Sequence, residues 1–203
     1  MGIKERRKRH KETLRQDILD AARTLLFTKG YAHFSMRRLA ERIEYTPTTI
    51  YLHFKDKREI LFHLREEVYG LVTDLLEAAA SREKEPARRV RAVIRAFVDF
   101  GLSDPDRYRL AFGEDASVEL KPITFLQEGT KGLHAYETVR KMVHDMGKKK
   151  SKETEDLDCL TQVLWANTHG LITFLNYHSD FPWVERDKLI NRSIDMTIKG
   201  LGL

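Results

Sequence analysis

Apolar residues recur three and four positions apart along almost the whole of this chain, and no stretch alternates apolar with polar over the length of a strand. A repeat near 3.6 residues lines its apolar members along one side of a helix, so the pattern calls for an all-α fold and needs no sheet to explain it. Breaks in the pattern divide the chain into about nine helices. The first should run from Lys11 to Lys29, with Leu14, Ile18, Ala22 and Leu25 inward, and stop at Gly30. Ser35 is placed to cap a short helix, Met36 to Ile43, whose Met36, Leu39, Ala40 and Ile43 face inward. Thr46 followed by Pro47 opens a third helix. Asp56 caps a long fourth, in which Leu61, Leu64, Val68, Leu71, Leu75 and Ala78 form one stripe. Pro86 begins a fifth, with Val90, Val93, Phe97 and Phe100 inward, broken at Gly101 and Ser103-Asp104-Pro105. A short helix from Asp106 to Phe112 follows, then one from Pro122 to Gly147 carrying Ile123, Leu126, Leu133, Tyr136, Val139 and Val143. Two helices close the chain, near 152–178 and 184–200, and the basic stretch from Gly147 to Lys152 between helices reads as a loop.

Charge splits this helical chain in two. Up to Arg58 there are 15 Lys and Arg against 7 Asp and Glu, a net of +8, while the remainder holds 21 against 24, a net of −3. A basic head on a mildly acidic body suits a nucleic-acid-binding module joined to a part that does not bind DNA, although a solvated basic tail gives the same asymmetry. Hydrophobic residues make up 41% and charged residues 33%, which sets the chain apart from disordered ones. No apolar run approaches the length of a membrane span, so no membrane partner is expected. The basic start has no apolar stretch behind it and so does not read as a secretory signal. The single cysteine, Cys159, cannot form an internal disulfide, which fits a cytoplasmic location; on its leucine-rich face it reads as a small core residue. The division expected is a DNA-binding domain over residues 1–56 and a second domain over 57–203.

Residues 35 to 54 supply the parts of a helix-turn-helix in order: a scaffold helix, a tight turn, and a helix whose exposed face fits the major groove. The third helix should expose Thr46, Thr48, Thr49, Tyr51, Leu52 and His53 while burying Ile50 and Phe54. Hydroxyl groups at a helix start donate to phosphates, and threonine methyls can meet the thymine methyl. Lys55 and Lys57 follow at the start of the fourth helix, where the positive end of its dipole adds to their attraction for phosphate, and Arg37 lies outward on the scaffold helix.

The run Phe34 to Leu61 resembles the N-terminal domain of the tetracycline-repressor (TetR) family of bacterial regulators. Its segment Thr49-Ile50-Tyr51-Leu52-His53-Phe54-Lys55-Asp56-Lys57 is similar to the family signature T-[LI]-Y-x-[HY]-F-x-[ND]-K, and Ala22 to Tyr31 fits the family's first helix. The resemblance implies that Thr49 and Tyr51 contact DNA and that Lys57 grips a phosphate. In the turn the family usually has Ala-Gly-Val where this chain has Ile43-Glu44-Tyr45, and Thr48 replaces a frequent glycine. A left-handed backbone at Glu44 would cost about 1 kcal/mol relative to glycine, so the turn is either shaped differently or bears that strain. Tyr45 reads as a packed turn residue. Ahead of the first helix, Lys4 to Lys11 holds six Lys and Arg, either as an arm that enters the minor groove or as a solubilising tail.

Further on, Asp104 to Gly113 (DPDRYRLAFG) and Trp165-x-x-x-His169-Gly170-Leu171 are similar to the branch of the family with a so-called WHG effector domain. That implies a helical core around an effector cavity, paired with a copy of itself. Phe97, Tyr108, Phe112, Trp165, His169 and Phe174 are the candidates for an effector pocket, with ordinary core packing as the alternative for each. The last two helices carry more apolar surface than one neighbour covers, and Leu164, Leu171, Leu175, Ile190 and Ile194 are the candidates for a homodimer interface. A twofold dimer would pair two recognition helices on a palindromic duplex. The expected function is therefore a repressor released from its operator by an apolar or amphipathic small molecule. Catalytic machinery is not expected: the chain has no G-x-S-x-G, no phosphate-cradling glycine loop, no H-E-x-x-H and no E-x-x-H. Neither a cofactor nor a metal is called for.

Overall fold

Local capping chemistry sets most of the helix boundaries in the computed structural model, which describes residues 2–113, 127–147 and 154–200. Helix α1 spans Ile3–Lys29 and so begins well before Lys11. Its basic first turns lack apolar periodicity, but Lys, Arg and Glu are good helix formers, and Glu5 Oε2 accepts a bond from the Gly2 N–H at 3.0 Å. Gly30 ends the helix at φ 75°, donating its N–H to the Leu26 carbonyl. A single 3₁₀ turn, Tyr31–His33, leads to α2 (Met36–Arg42), where Ser35 Oγ accepts from the Arg38 N–H. Helix α3 (Pro47–Tyr51) has Pro47 in its first turn and is capped by Thr46. Helix α4 (Lys57–Ser81) is capped by Asp56, whose Oδ1 accepts from the Glu59 N–H at 3.0 Å.

Along α4 the buried stripe is Leu61, Leu64 and Val68, continuing through Val72, Leu76 and Ala79. The expected Leu71, Leu75 and Ala78 are one position out of phase; Leu71 is exposed. A helix takes slightly more residues per turn than the 3.5 of that repeat, so along α4 the inward face drifts onto the next residue in sequence. Helix α5 (Pro86–Ser103) is capped by the Glu85 carboxylate and buries Val90, Val93, Phe97 and Phe100 as its spacing predicts. Helix α6 (Pro105–Phe112) follows.

The helix expected from Pro122 to Gly147 instead starts at Lys131, as α7 (Lys131–Gly147). Gln127 to Thr130 form a turn, with Gly129 at φ 82° and the Thr130 hydroxyl accepting from the Leu133 N–H. Glycine relieves the steric cost of that positive φ, which the apolar spacing gave no means of seeing. Ile123 and Leu126, and residues 148–152 of the expected loop, lie outside the described residues. Helices α8 (Thr154–Tyr177) and α9 (Arg186–Gly200) complete the order. No strand occurs among the described residues, and none of the described helices is long and apolar enough to cross a membrane.

Two compact units emerge, and they divide within α4. The first holds residues up to Glu67 and takes in Arg109 to Gly113 from the end of α6. Its core is the predicted α1 face (Leu14, Ile18, Ala22, Leu25) against Leu39, Ile50, Phe54, Leu61 and Leu64. The buried Arg65 guanidinium donates to the Ala111 carbonyl at 3.0 Å, satisfying one of the carbonyls that a helix end leaves without an internal partner. In the second unit α5 is central, packing against α7, α8 and α9. Gly101 makes the α5–α8 approach feasible: a Cβ there would lie 2.6 Å from Ile172 Cγ2, and the Gly101 carbonyl accepts from Asn176 Nδ2 at 2.9 Å. Arg95 pairs with Asp187 and Arg91 with Asp195, tying α5 to α9.

Candidate functional site

The turn between α2 and α3 is a helix C-terminus of the Schellman type. The Tyr45 N–H donates to the Ala40 carbonyl at 3.0 Å and the Glu44 N–H to the Glu41 carbonyl at 3.4 Å, which closes the last carbonyls of α2 only if Glu44 is left-handed. Glu44 does sit at φ 59°, alone among the described non-glycine residues in having a positive φ. The chain thus bears the strain that the missing glycine predicts. Tyr45, expected to pack, is 44% exposed, because the Schellman bonds already hold the turn through its backbone.

Thr46 Oγ1 accepts from the Thr49 N–H at 3.2 Å and lies 3.0 Å from Thr49 Oγ1. Ile50 and Phe54 are fully buried beneath helix α3. Thr46, Thr48, Tyr51 and Leu52 are exposed on its outer side, and Thr49 and His53 are half-buried. Arg37 lies exposed on α2, paired with Glu41 one turn on. Lys55 is exposed between the helices, where its backbone N–H donates to Glu59 Oε2 at 2.6 Å. Lys57 is half-buried, its Nζ 4.5 Å from the centre of the Tyr31 ring. All eight sequence-selected residues thus belong to the first unit, seven of them on or beside α3 and the start of α4 and Arg37 on α2.

Two supporting residues escaped the sequence reading. Tyr31 provides the face on which Lys57 rests. Arg15 lies 4.5 Å over the Phe54 ring and 2.7 Å from His63 Nε2, bracing the end of α3 from α1. Its place four residues after Lys11 and three before Ile18, on the inward side of α1, was the available signal. Burial, then the nearby Lys11, Arg15 and His10, hold the His53 ring below its usual pKa, so cationic side chains of α1 act on the far end of the recognition helix. Burial followed by Arg15 does the same to His63.

In the second unit His169 lies among aromatic rings. Its ring centre is 5.3 Å from Trp165, nearly parallel, and 5.1 Å from Phe97, edge to face, and its Nδ1 is 2.7 Å from the Tyr108 hydroxyl. Burial lowers the His169 pKa to about 4 and raises that of Tyr108 to about 12, so both are neutral near pH 7. Tyr136 adds a further ring against Trp165. Phe97, Tyr108, Trp165 and His169 are therefore brought together. Phe174 is not: it is 56% exposed and lies against His178. Phe112 belongs to the first unit and is half-buried there.

Helix α8 carries two apolar stripes, and spacing alone does not say which one faces in. Leu164, Thr168, Ile172 and Leu175 are buried in the unit's own core, as are Ile190 and Ile194 of α9. Four of the five residues selected for pairing are thus buried in the second unit's own core, and Leu171 is half-buried. The exposed stripe is Val163, Phe174 and, on α9, Met196, which with Leu171, Gly170 and Leu189 line an open groove between the two helices. Cys159, expected in the core, is exposed and free. Among the described residues no group of three His, Cys, Asp or Glu side chains could hold a metal.

A capped scaffold helix, a tight turn, and a short helix with a buried base, an exposed hydroxyl and aromatic face and cations at its end define a helix-turn-helix DNA-binding head. Comparison with known proteins narrows this class. Residues 18–64 match the family model for bacterial regulatory proteins of the tetR family, and residues 90–199 match the model for the tetracyclin repressor-like C-terminal domain. The chain belongs to the TetR family, and is a DNA-binding transcription regulator. Solved structures share the fold. One is a protein of unknown function from Rhodococcus sp. RHA1, with a TM-score of 0.73 at 21% identity, covering 94% of this chain and 96% of that one. A TetR family transcription regulator from Marinobacter aquaeolei VT8 aligns with a TM-score of 0.65 at 18% identity, covering 95% and 97%. The TetR family repressor FadR of Thermus thermophilus, in complex with lauroyl-CoA, aligns with a TM-score of 0.60 at 12% identity, covering 92% of each chain.

Proposed function

We propose that the protein is a homodimeric repressor that leaves a palindromic operator when its second domain takes up an apolar or amphipathic small molecule. The observation that carries the DNA-binding part is the outer face of α3, where Thr46, Thr48, Tyr51 and Leu52 stand exposed over a fully buried Ile50 and Phe54. Such a helix offers hydroxyls and an aromatic ring to phosphates and base edges while its base holds it rigid. In this reading Thr48 and Thr49 bear on sequence preference, and Arg37, Tyr51, His53, Lys55 and Lys57 on the backbone. Self-pairing is assigned to the open face of α8 and α9, where Val163, Leu171, Phe174 and Met196 leave an apolar surface that a twofold copy would cover. The effector is assigned to the surroundings of His169 and Trp165, whose neutral, largely apolar rings suit an uncharged or amphipathic guest. The same reading has the protein working in the bacterial cytoplasm.

Effector release is assigned to α4, which is shared by both units. A tilt of that helix would move the two heads out of register with successive major grooves. The test combines two measurements on the full chain. Selection from a randomised duplex library should return a two-part palindrome bound by a dimer, and native mass spectrometry of the purified protein should show a bound small molecule whose addition releases that duplex. A non-palindromic site bound by a monomer, or a ligand that leaves the duplex bound, would refute the corresponding part.

A further inference from the structure

Helix α1 changes character along one face. From Ile18 onward the side turned towards α2 and α3 is core: Ile18, Ala22, Leu25 and Leu26 are buried. At about 100° per residue, the same side in the first half of the helix carries Lys4, Arg7, Lys8, Lys11 and Arg15, spaced three and four apart. Lys4, Arg7, Lys8 and Lys11 are all exposed. The two acidic residues of the segment, Glu5 and Glu12, fall on the flank; Glu5 is occupied by the Gly2 N–H, and the Lys8–Glu12 pair is a loose 3.9 Å contact in solvent. A face that is core further on is thus cationic and uncovered here.

Its direction is set by Arg15. That side chain, the last of the basic row, lies over Phe54 at the end of α3. Phe54 sits between His53 and Lys55 in the chain, and the influence of Lys11 and Arg15 on the His53 ring shows how near the row comes to it. The row and the recognition helix therefore share one side of the head. From Lys4 to Lys11 the helix rises about 10 Å, close to the axial length of three phosphates on one DNA strand at about 3.4 Å each.

We propose that Lys4, Arg7, Lys8 and Lys11 form a helical phosphate rail, which tracks the DNA backbone beside the groove entered by α3 and adds affinity without reading sequence. This rests on the DNA-binding reading of α3. Such an arm is not inserted into the minor groove as a flexible tail would be; as a continuous helix, it is held in place by the same core that holds α3. Cations that each neutralise a phosphate steepen the salt dependence by about 0.9 in log–log slope apiece, so three contacts amount to about 2.7. Between 50 and 200 mM salt that is about a 40-fold difference in how far affinity falls.

The test uses the full-length protein with Lys4→Gln, Arg7→Gln, Lys8→Gln and Lys11→Gln together. A control with Arg82→Gln, Lys84→Gln, Arg88→Gln and Lys199→Gln loses the same charge from the second unit. Binding is measured against salt on the duplex that the wild type selects from a randomised library and on a shuffled duplex of equal composition. The expected result is a slope shallower by about 2 to 3 on both duplexes, an unchanged ratio between them, and a control slope like the wild type's. An unchanged ratio also reports that the variant head is folded. An unaltered slope, or equal flattening in the control, overturns the rail while leaving the DNA-binding reading intact. Failure of the wild type to prefer any duplex overturns that reading itself. If the slope is unaltered but the variant no longer sediments with phosphatidylserine vesicles that the wild type binds, the face belongs to a membrane and the rail is again overturned.

Discussion

Replacing Glu44 by glycine should stabilise the protein, because the turn between α2 and α3 holds that residue at φ 59°. For an L-residue the left-handed region costs about 1–2 kcal/mol relative to the right-handed one. Glycine escapes this but loses about 0.5–1 kcal/mol more on folding, since its unfolded chain is freer. The difference leaves a net gain of about 0.5–1 kcal/mol. In a chain of this size a gain of that order shifts the thermal midpoint by about 1–4 °C. The Schellman bonds from Tyr45 and Glu44 to Ala40 and Glu41 are backbone bonds, so they survive the exchange. Glu44→Ala removes the same exposed side chain yet keeps the backbone penalty, and Thr48→Gly places glycine in a regular helix where it should lose about 0.3 kcal/mol. Urea and thermal unfolding at one fixed protein concentration measure all three. Equal stability of Glu44→Gly and Glu44→Ala would refute the argument, because it would mean that the φ value carries no cost.

Further outcomes follow from the two units. Lys57→Ala should weaken binding on all duplexes and flatten the salt slope by about 1, whereas Thr48→Ala should change the ratio between duplexes; salt titrations on selected and shuffled DNA separate them. Gly101→Ala should destabilise the second unit by about 1–3 kcal/mol, read by denaturant unfolding, because its Cβ would meet Ile172 Cγ2 at 2.6 Å in a packed interface. His169 gives a pH dependence with a definite sign. Burial keeps its folded pKa at about 4, so the unfolded chain takes up the proton first as pH drops below about 6.5. Stability present above that pH is lost between 6.5 and 4, by about 3 kcal/mol in all, and His169→Gln should flatten this part of the profile. Met196→Glu, at a 63% exposed position on the groove, should shift sedimentation from dimer to monomer without loss of helical circular dichroism; a dimer that persists would move the pairing face elsewhere.

Much of the head was legible in the residues themselves. Ser35, Thr46 and Asp56 cap where their side chains predict, because a cap is a bond to a backbone N–H two or three positions away and needs no distant partner. The strain at Glu44 was likewise readable, since a helix that must close its last carbonyls leaves one residue in the left-handed region whatever side chain stands there. The basic asymmetry and the Thr49 to Lys57 signature pointed to DNA, and the matching family models agree.

The remainder depended on what lies far away in the chain. Apolar spacing along α8 establishes two stripes but not which is buried; packing against α5 and α9 puts Leu164 and Leu175 inside and leaves Val163 and Phe174 in solvent. The drift of the α4 face from Leu71 to Val72 accumulates over turns, and only the neighbouring helices register it. Arg15 over Phe54, Lys57 over Tyr31 and the enclosure of His169 by Phe97, Tyr108 and Trp165 join residues remote in sequence. By itself the sequence determined the all-α class, the caps at Ser35, Thr46 and Asp56 and the helix-turn-helix pattern of the head, all of which rest on contacts within a turn or two. Which faces are buried, which cations stand beside α3 and which rings surround His169 were decided by tertiary packing, because desolvation and ring contact depend on neighbours that no local pattern encodes.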